Sequence, residues 1–273
     1  ALVDCDPDTW TMDVDQVAER ITPRTKAIMP VHIYGHPVDM DPVMSLAHQR
    51  GLTVIEDAAE AHGARYKGRR CGSFGEISCF SFYANKIITT GEGGMVLTDS
   101  AQLAERLRAQ RNLAFQPQQR FLHNELGHNY RMTNIQAAIG LAQLRKIEDH
   151  LEKKRWMARA YTQRLSDVEC IQLPVQREWA ENVYWMYGLV LRESAGMDAR
   201  QFAARLLQEG VETRPFFGGM PRQPVLHARG LFLDESYPVT DRIGRFGLYL
   251  PSGLTITEDQ IDQVCKAVRK VLR

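Results

Sequence analysis

No charge of either sign dominates this chain. Its 34 lysines and arginines meet 33 aspartates and glutamates, leaving a formal net charge of +1. Such a balance creates no global field to draw in nucleic acid or an anionic membrane. Long hydrophobic runs are also missing, and no stretch is long enough to cross a bilayer as a helix. Cysteine is sparse: Cys5, Cys71, Cys79, Cys170 and Cys265 are scattered, odd in number and free of CxxC spacing. That argues against a disulfide scaffold and the common zinc motifs, so no metal is expected and free thiols in a reducing cytoplasm are the reading. The chain opens on Ala1-Leu2-Val3-Asp4, which reads as a strand end, with no initiator methionine and no signal-peptide pattern.

What remains is the composition of an ordinary globular protein, 44% hydrophobic and 25% charged over 273 residues. The first half alternates short apolar runs with helical stretches, the pattern of a parallel sheet with crossover helices. Ala27 to Val31 and Thr53 to Glu56 read as strands, the second apolar enough to be buried on both faces. Asp41 to Arg50 reads as a helix stopped by Gly51. Tyr66-Lys67-Gly68-Arg69 is a turn between two short strands. Ile77 to Phe82 and Gly94 to Thr98 are further strands, and Ala101 to Arg111 is a helix capped at Asp99-Ser100.

Thr133 to about Arg164 is long, helical and free of proline, with a break expected near His150. It leads from a first domain, residues 1–150, into a second, residues 151–273, with α+β character. There Tyr184 to Arg192 reads as a strand and Asp198 to Glu209 as a helix closed by Gly210. Thr257-Glu258-Asp259-Gln260 is a capping box opening the last helix, which sets Ile261, Val264, Cys265 and Val268 on one apolar face.

Two residues carry the chemistry. Lys86 ends Cys79-Phe80-Ser81-Phe82-Tyr83-Ala84-Asn85-Lys86, just before the glycine-rich Thr90-Gly91-Glu92-Gly93-Gly94. Asp57 lies 29 residues upstream, where Thr53-Val54-Ile55-Glu56 ends. Taken alone, Asp57 reads as a helix N-cap after a strand and Lys86 as a solvated loop lysine. Together they read as an amine that forms a Schiff base and an acid that keeps a pyridine nitrogen protonated, the pair pyridoxal phosphate requires.

The wider run resembles the DegT/DnrJ/EryC1/StrS family of pyridoxal-phosphate-dependent sugar aminotransferases over nearly the whole chain. Its blocks are Ile28-Met29-Pro30-Val31-His32-Ile33-Tyr34-Gly35, Ile55 to Gly63, Ser81 to Gly94, and Asn129-Tyr130-Arg131-Met132-Thr133-Asn134. The resemblance implies an α/β fold of the aspartate-aminotransferase type: a mainly parallel large domain plus a small α+β C-terminal domain. It also implies that an N-terminal portion of the large domain, which supplies a phosphate-binding turn and a ring stacked on the cofactor, is not in these residues.

Site roles follow from the same resemblance. Asp57, Glu60, Ser81, Lys86 and Asn129 bind the cofactor, with Ser81 on its phosphate and Glu60 near its 3′-oxygen. Asn129 reaches the site of a neighbouring subunit, making the unit a homodimer or larger with shared active sites. His32, Tyr34, Arg214, Phe216 and Phe217 line the substrate pocket. Lys86 also moves a proton during transfer from L-glutamate to a nucleotide-linked sugar, and its presence argues against the family's dehydratase branch, which carries histidine there. Within the family the resemblance is to the branch that aminates C4 of a GDP-linked 4-keto-6-deoxy sugar. The alternatives are amination at C3 or C4 of a UDP- or dTDP-linked sugar, or a non-catalytic regulatory relative. Neither nucleic acid nor membrane is an expected partner. Arg65, Lys67, Arg69 and Arg70 read either as a solvated hairpin or as a diphosphate site, and Trp156, Trp179 and Trp185 as packing residues.

Overall fold

The computed structural model of the chain describes residues 1–116 and 119–273. After a short helix α1 (Val17–Arg20) come β1 (Ala27–Ile28), α2 (Met40–Arg50) and β2 (Thr53–Asp57). A hairpin of β3 (Arg65–Tyr66) and β4 (Arg69–Arg70) follows, then β5 (Ile77–Ser81), β6 (Gly94–Leu97) and α3 (Ala101–Gln110). The first sheet has the order β1-β2-β5-β6, with β1, β2 and β5 parallel and β6 antiparallel at one edge. β1 stops at Ile28, short of the expected Val31, because Pro30 has no N–H to continue a ladder. Val31 makes only an isolated pairing with Asp57. The hairpin turn needs two consecutive positive φ angles, 47° at Lys67 and 79° at Gly68, as a tight two-residue turn does.

The second half begins with α4 (Asn134–Leu144) and α5 (Ile147–Leu165). The expected long helix breaks at Arg145–Lys146, earlier than His150, where Lys146 leaves helical geometry at φ −109°, ψ 13°. His150 therefore sits in the first turn of α5, its Nδ1 3.2 Å from the Ile87 carbonyl. Then come β7 (Ile171–Gln172), β8 (Ala180–Glu181), β9 (Tyr187–Leu191) and α6 (Ala199–Gln208). The chain ends with β10 (Arg214–Pro215), α7 (Pro224–His227), α8 (Pro238–Phe246), β11 (Gly247–Leu250) and α9 (Glu258–Val271). The second sheet is antiparallel, β10-β11-β9-β7, while β8 pairs with β3 of the hairpin.

Three helices cover the second sheet. Tyr161 of α5, Phe202 and Leu206 of α6, and Ile261 and Val268 of α9 pack with Tyr187, Leu189 and Leu248 into one core. The Thr257–Gln260 capping box forms as expected, and it sets the register that buries Ile261, Val264, Cys265 and Val268. Asp4 ties the start of the chain to this half. Its buried carboxylate accepts from the N–H groups of Val239 (2.9 Å) and Thr240 (2.8 Å) at the first turn of α8. Arg177 adds a 2.9 Å ion pair to Asp8.

β2 does not bury both faces as its apolar character suggests. Val54 and Glu56 are buried, while Thr53, Ile55 and Asp57 are half-covered. The covered face thus has a carboxylate at its centre. Glu56 Oε1 accepts from the N–H groups of Phe74 (2.6 Å) and Gly75 (2.7 Å), and Oε2 from Gly72 N–H (2.6 Å) and His32 Nε2 (3.1 Å). Burial alone would push this carboxyl up; the hydrogen bonds from His32, Gly75 and Gly72 outweigh it and hold the carboxyl below the usual range. A lowered folded-state value means that the stability it adds is complete above the ordinary glutamate range and is lost as pH falls through the lowered value. We expect Glu56→Gln to lower unfolding free energy by about 3–5 kcal/mol at neutral pH, because the amide NH2 faces donors it cannot accept from. The penalty should shrink in acid, and urea unfolding over a pH series checks both points; equal losses at all pH values would refute the assignment.

Candidate active site

Asp57 and Ser81 end two neighbouring parallel strands, with Asp57 opposite Cys79 in register. This is the carboxyl edge of the sheet, where open α/β folds bind ligands. Asp57 Oδ1 also accepts from Ala59 N–H at 3.1 Å, so it performs the turn-capping role that an acid after a strand suggests. Ser81 Oγ accepts from Tyr83 N–H at 3.3 Å. The turn after β5, closed by Lys86 N–H to the Tyr83 carbonyl at 3.0 Å, brings Lys86 back over the edge.

There the lysine meets Glu60 and a tryptophan. Lys86 Nζ lies 3.2 Å from Glu60 Oε1, and both side chains are almost wholly buried. It also stands 3.8 Å from the centroid of the Trp185 ring. Glu60 Oε2 accepts from Tyr34 N–H at 2.8 Å. Burial pushes the Glu60 carboxyl up, Asp57 adds to the rise, and Lys86 and Tyr34 N–H offset it only in part, so the net value is raised.

Tyr34 reaches this position in a left-handed backbone conformation, φ 54°. Its ring stacks on Phe217 at 5.6 Å and lies parallel to Trp185 at 6.4 Å. Phe217 N–H donates to the Tyr34 hydroxyl at 3.3 Å, and the Phe217 ring is 52% exposed. Phe216 differs from its neighbour. It is buried against Trp10 and Tyr34, in space left by the absent side chains of Gly188 and Gly247, and is a core ring rather than a pocket surface.

His32 is also placed otherwise than expected for a pocket residue. It is 0% exposed; Nε2 donates to Glu56, and Nδ1 accepts from Val38 N–H at 3.0 Å. Both nitrogens are spent beneath the site, orienting the loop that carries Tyr34. Arg214 lies on β10 opposite Tyr249 and pairs with Glu212 at 2.5 Å. Asn129 is exposed, accepts from Arg131 at 3.4 Å, and does not line the cavity containing Lys86 of its own chain.

That cavity has a volume of about 750 Å³. Lys86, Gln143, His150 and Lys154 line it, together with Arg214, Tyr249 and the Leu250–Thr255 segment. Lys154 and Trp185 are the residues sequence reasoning missed. Trp185 is buried in the core, as a packing residue, and in addition its indole N–H donates to the Asn85 carbonyl at 2.9 Å and its ring faces Lys86, a contact that nothing in the sequence signals. The basic hairpin is satisfied locally, through pairs such as Lys67–Asp41 at 2.5 Å and Arg70–Glu148 at 3.4 Å.

An amine, an acid at a strand end and a hydroxyl at the adjacent strand end therefore share one edge of the sheet; of the three, Lys86 lines the cavity, and Asp57 and Ser81 do not. Their chemistry fits pyridoxal phosphate, which asks for an imine-forming lysine, a partner for its ring nitrogen and donors for its phosphate. Residues 1–269 match the DegT/DnrJ/EryC1/StrS aminotransferase family. GDP-perosamine synthase of Caulobacter vibrioides is 42% identical over 273 residues, spanning 99% of this chain and 72% of that protein. GDP-perosamine synthase of Escherichia coli O157:H7 is 38% identical over 269 residues, spanning 98% and 72%. The crystal structure of S. venezuelae DesV has a TM-score of 0.91 at 34% identity, covering 99% of this chain and 71% of that one. Sequence and fold together place this chain in the DegT/DnrJ/EryC1/StrS family of pyridoxal-phosphate-dependent aminotransferases.

Proposed function

We propose that the chain moves an amino group from L-glutamate to the C4 keto carbon of a nucleotide-linked 4-keto-6-deoxy sugar, as in forming GDP-perosamine from GDP-4-keto-6-deoxymannose. The observation that carries this reading is the Lys86 amine, held by Glu60 and Trp185 at the edge of the cavity. The two GDP-perosamine synthases support the choice of sugar. When bound, pyridoxal phosphate supplies an aldehyde that takes up the amino group and a ring that stabilises the charge left by the departing proton.

The chain's own residues do the rest. Asp57, Glu60, Ser81 and Lys86 would hold the cofactor, Asp57 keeping a proton on the ring nitrogen and the Ser81 hydroxyl meeting the phosphate. Lys86, once freed as an amine, is the base that carries a proton between donor carbon and cofactor. Glu60 keeps that amine oriented, and Trp185 walls it from water. Phe217, half-exposed on the buried ring of Tyr34, offers an aromatic surface for the sugar or base, with Arg214 suited to phosphate; Tyr34 supports that ring from the core rather than facing a ligand.

The working unit in this reading is a homodimer or larger. Asn129 stands away from its own cavity, and Phe121, Leu126, Tyr130 and Ile135 nearby are strongly exposed, Leu126 at 90%. A second copy would cover them and receive Asn129. No helix among the described residues is long and apolar enough to cross a membrane; a cytoplasmic role in building O-antigen-type glycans belongs to the same proposal, as does the division into residues 1–150 and 151–273.

Lys86→Ala should abolish turnover and the covalent adduct that borohydride locks onto the wild-type lysine, with the fold intact by circular dichroism. Full activity in that variant would refute the mechanism. Asp57→Asn should keep some cofactor but lose activity by about 10²-fold or more, since a neutral amide holds a ring-nitrogen proton poorly. Wild-type turnover there would remove Asp57 from this role. NMR of the product formed from GDP-4-keto-6-deoxymannose tests the substrate: an amine at C4 is expected, and an amine at C3, or activity confined to UDP- or dTDP-linked sugars, would overturn the assignment.

A further inference from the structure

Lys154 is a buried ammonium without a counter-ion. It is 4% exposed and projects from α5 into the wall of the cavity that also contains Lys86. Its Nζ donates to two carbonyl oxygens, that of Trp185 at 2.8 Å and that of Ser252. An ammonium has three hydrogens to give. No third acceptor and no carboxylate meets it among the described residues. Glu212, the acid lining the same cavity, is already paired with Arg214. A buried cation left in this state is costly, and native structures pair such charges. Burial accordingly lowers its pKa to about 8.

The surroundings say which anion suits it. His150, one helical turn earlier on α5, lines the same cavity, and the cavity's other cations are Lys86 and Arg214, the latter paired with Glu212. Trp185 joins the two lysines: its carbonyl is bonded by Lys154 and its ring lies against Lys86. The amine that handles the transferred amino group and the uncompensated ammonium thus sit at opposite ends of a single residue. An amino donor with a second carboxylate some carbons away from its amine can present its two ends to two cations that line one cavity. Glutamate has this shape; a simple amine does not.

We propose that Lys154 binds the side-chain carboxylate of the amino donor and so selects glutamate over uncharged amino acids. The inference rests on the aminotransferase reading above and assigns the donor subsite within it. The carbonyl of Trp185 then has a second consequence, since seating the carboxylate on Lys154 holds the tryptophan that faces Lys86.

The test uses the cofactor-loaded enzyme without sugar. Single-turnover reaction with L-glutamate and with L-glutamine is followed by the change in cofactor absorbance, in wild type, Lys154→Met and Lys154→Gln. Glutamine matches glutamate in length and shape but carries a neutral amide in place of the distal carboxylate. Both variants should react about 10- to 100-fold more slowly with glutamate, the loss of one charge-assisted hydrogen bond, and at the wild-type rate with glutamine. Lys154→Gln keeps N–H donors for the two carbonyls, so it reports on charge even where Lys154→Met does not fold. An equal slowing with both amino acids, or a Gln variant that retains full glutamate preference, would reduce Lys154 to a tie between carbonyls and overturn the proposal. Calorimetric titration of GDP separates the other anion source: weakened GDP binding with an unchanged glutamate-to-glutamine ratio would move Lys154 to the nucleotide diphosphate and overturn the donor assignment. A wild-type enzyme inert to both amino acids fails differently, since that refutes the choice of donor in the function itself.

Discussion

Glu56 is the constraint from which the site is built. A carboxylate at the centre of a buried strand face is costly unless donors surround it, and four do. Three are backbone N–H groups of residues 72–75, which fold back onto β2 and deliver the chain into β5. The fourth is His32, whose other nitrogen accepts from Val38 and thereby closes the loop after β1. Two residues beyond His32, Tyr34 turns its N–H to Glu60, and Glu60 holds Lys86. Hydrogen bonds, joined through the backbone between His32 and Tyr34, therefore run from the middle of the sheet to the Lys86 amine. Each link depends on the one beneath it.

The other half of the lysine's surroundings comes from the antiparallel sheet. Trp185 precedes β9 and is pinned at both ends, its indole N–H to the Asn85 carbonyl and its own carbonyl to Lys154. Electrostatic contacts from the parallel sheet and an aromatic face from the antiparallel one meet at Lys86. The cation–π contact is worth about 0.5–2 kcal/mol in such desolvated places. Its larger effect is geometric, because it makes the position of Lys86 depend on how the two sheets are set. α5 spans that division, placing His150 and Lys154 along the cavity wall while packing Met157 and Tyr161 into the second core.

Much of this was legible in the sequence, and the reasons differ by element. The Thr257 capping box is local chemistry, and it forms where the sequence puts it. Asp57 and Lys86 come at or just past the ends of strands whose apolar runs are short and clear, so their place at one edge could be read. The position of the helix break, at Lys146 rather than near His150, could not, because neither proline nor glycine marks it. Phe216 and Phe217 are adjacent and identical in type, yet one is core and the other half-exposed; that distinction depends on Gly188 and Gly247, far away in sequence. His32 was misplaced for a related reason. Its partner Glu56 sits in an apolar run where an acid looks like an interruption rather than a hub.

The Lys86–Glu60 pair shows what the fold gives up for this arrangement. A buried ion pair seldom stabilises a protein relative to well-packed apolar residues, since desolvating two charges offsets most of their attraction. Here the Glu60 carboxyl is still raised despite its cationic neighbour, so the pair does not recover the full cost of burial. The N–H that helps it comes from Tyr34, a bulky residue in a left-handed conformation that itself costs on the order of 1–3 kcal/mol. Strain and uncompensated burial at one point make poor sense as a stability device. They make sense if the amine must be held, nearly dry and correctly aimed, beside an acid that can exchange its partner. The cores around Tyr161 and Val54, which contain neither Tyr34 nor Trp185, supply apolar burial that offsets such a cost.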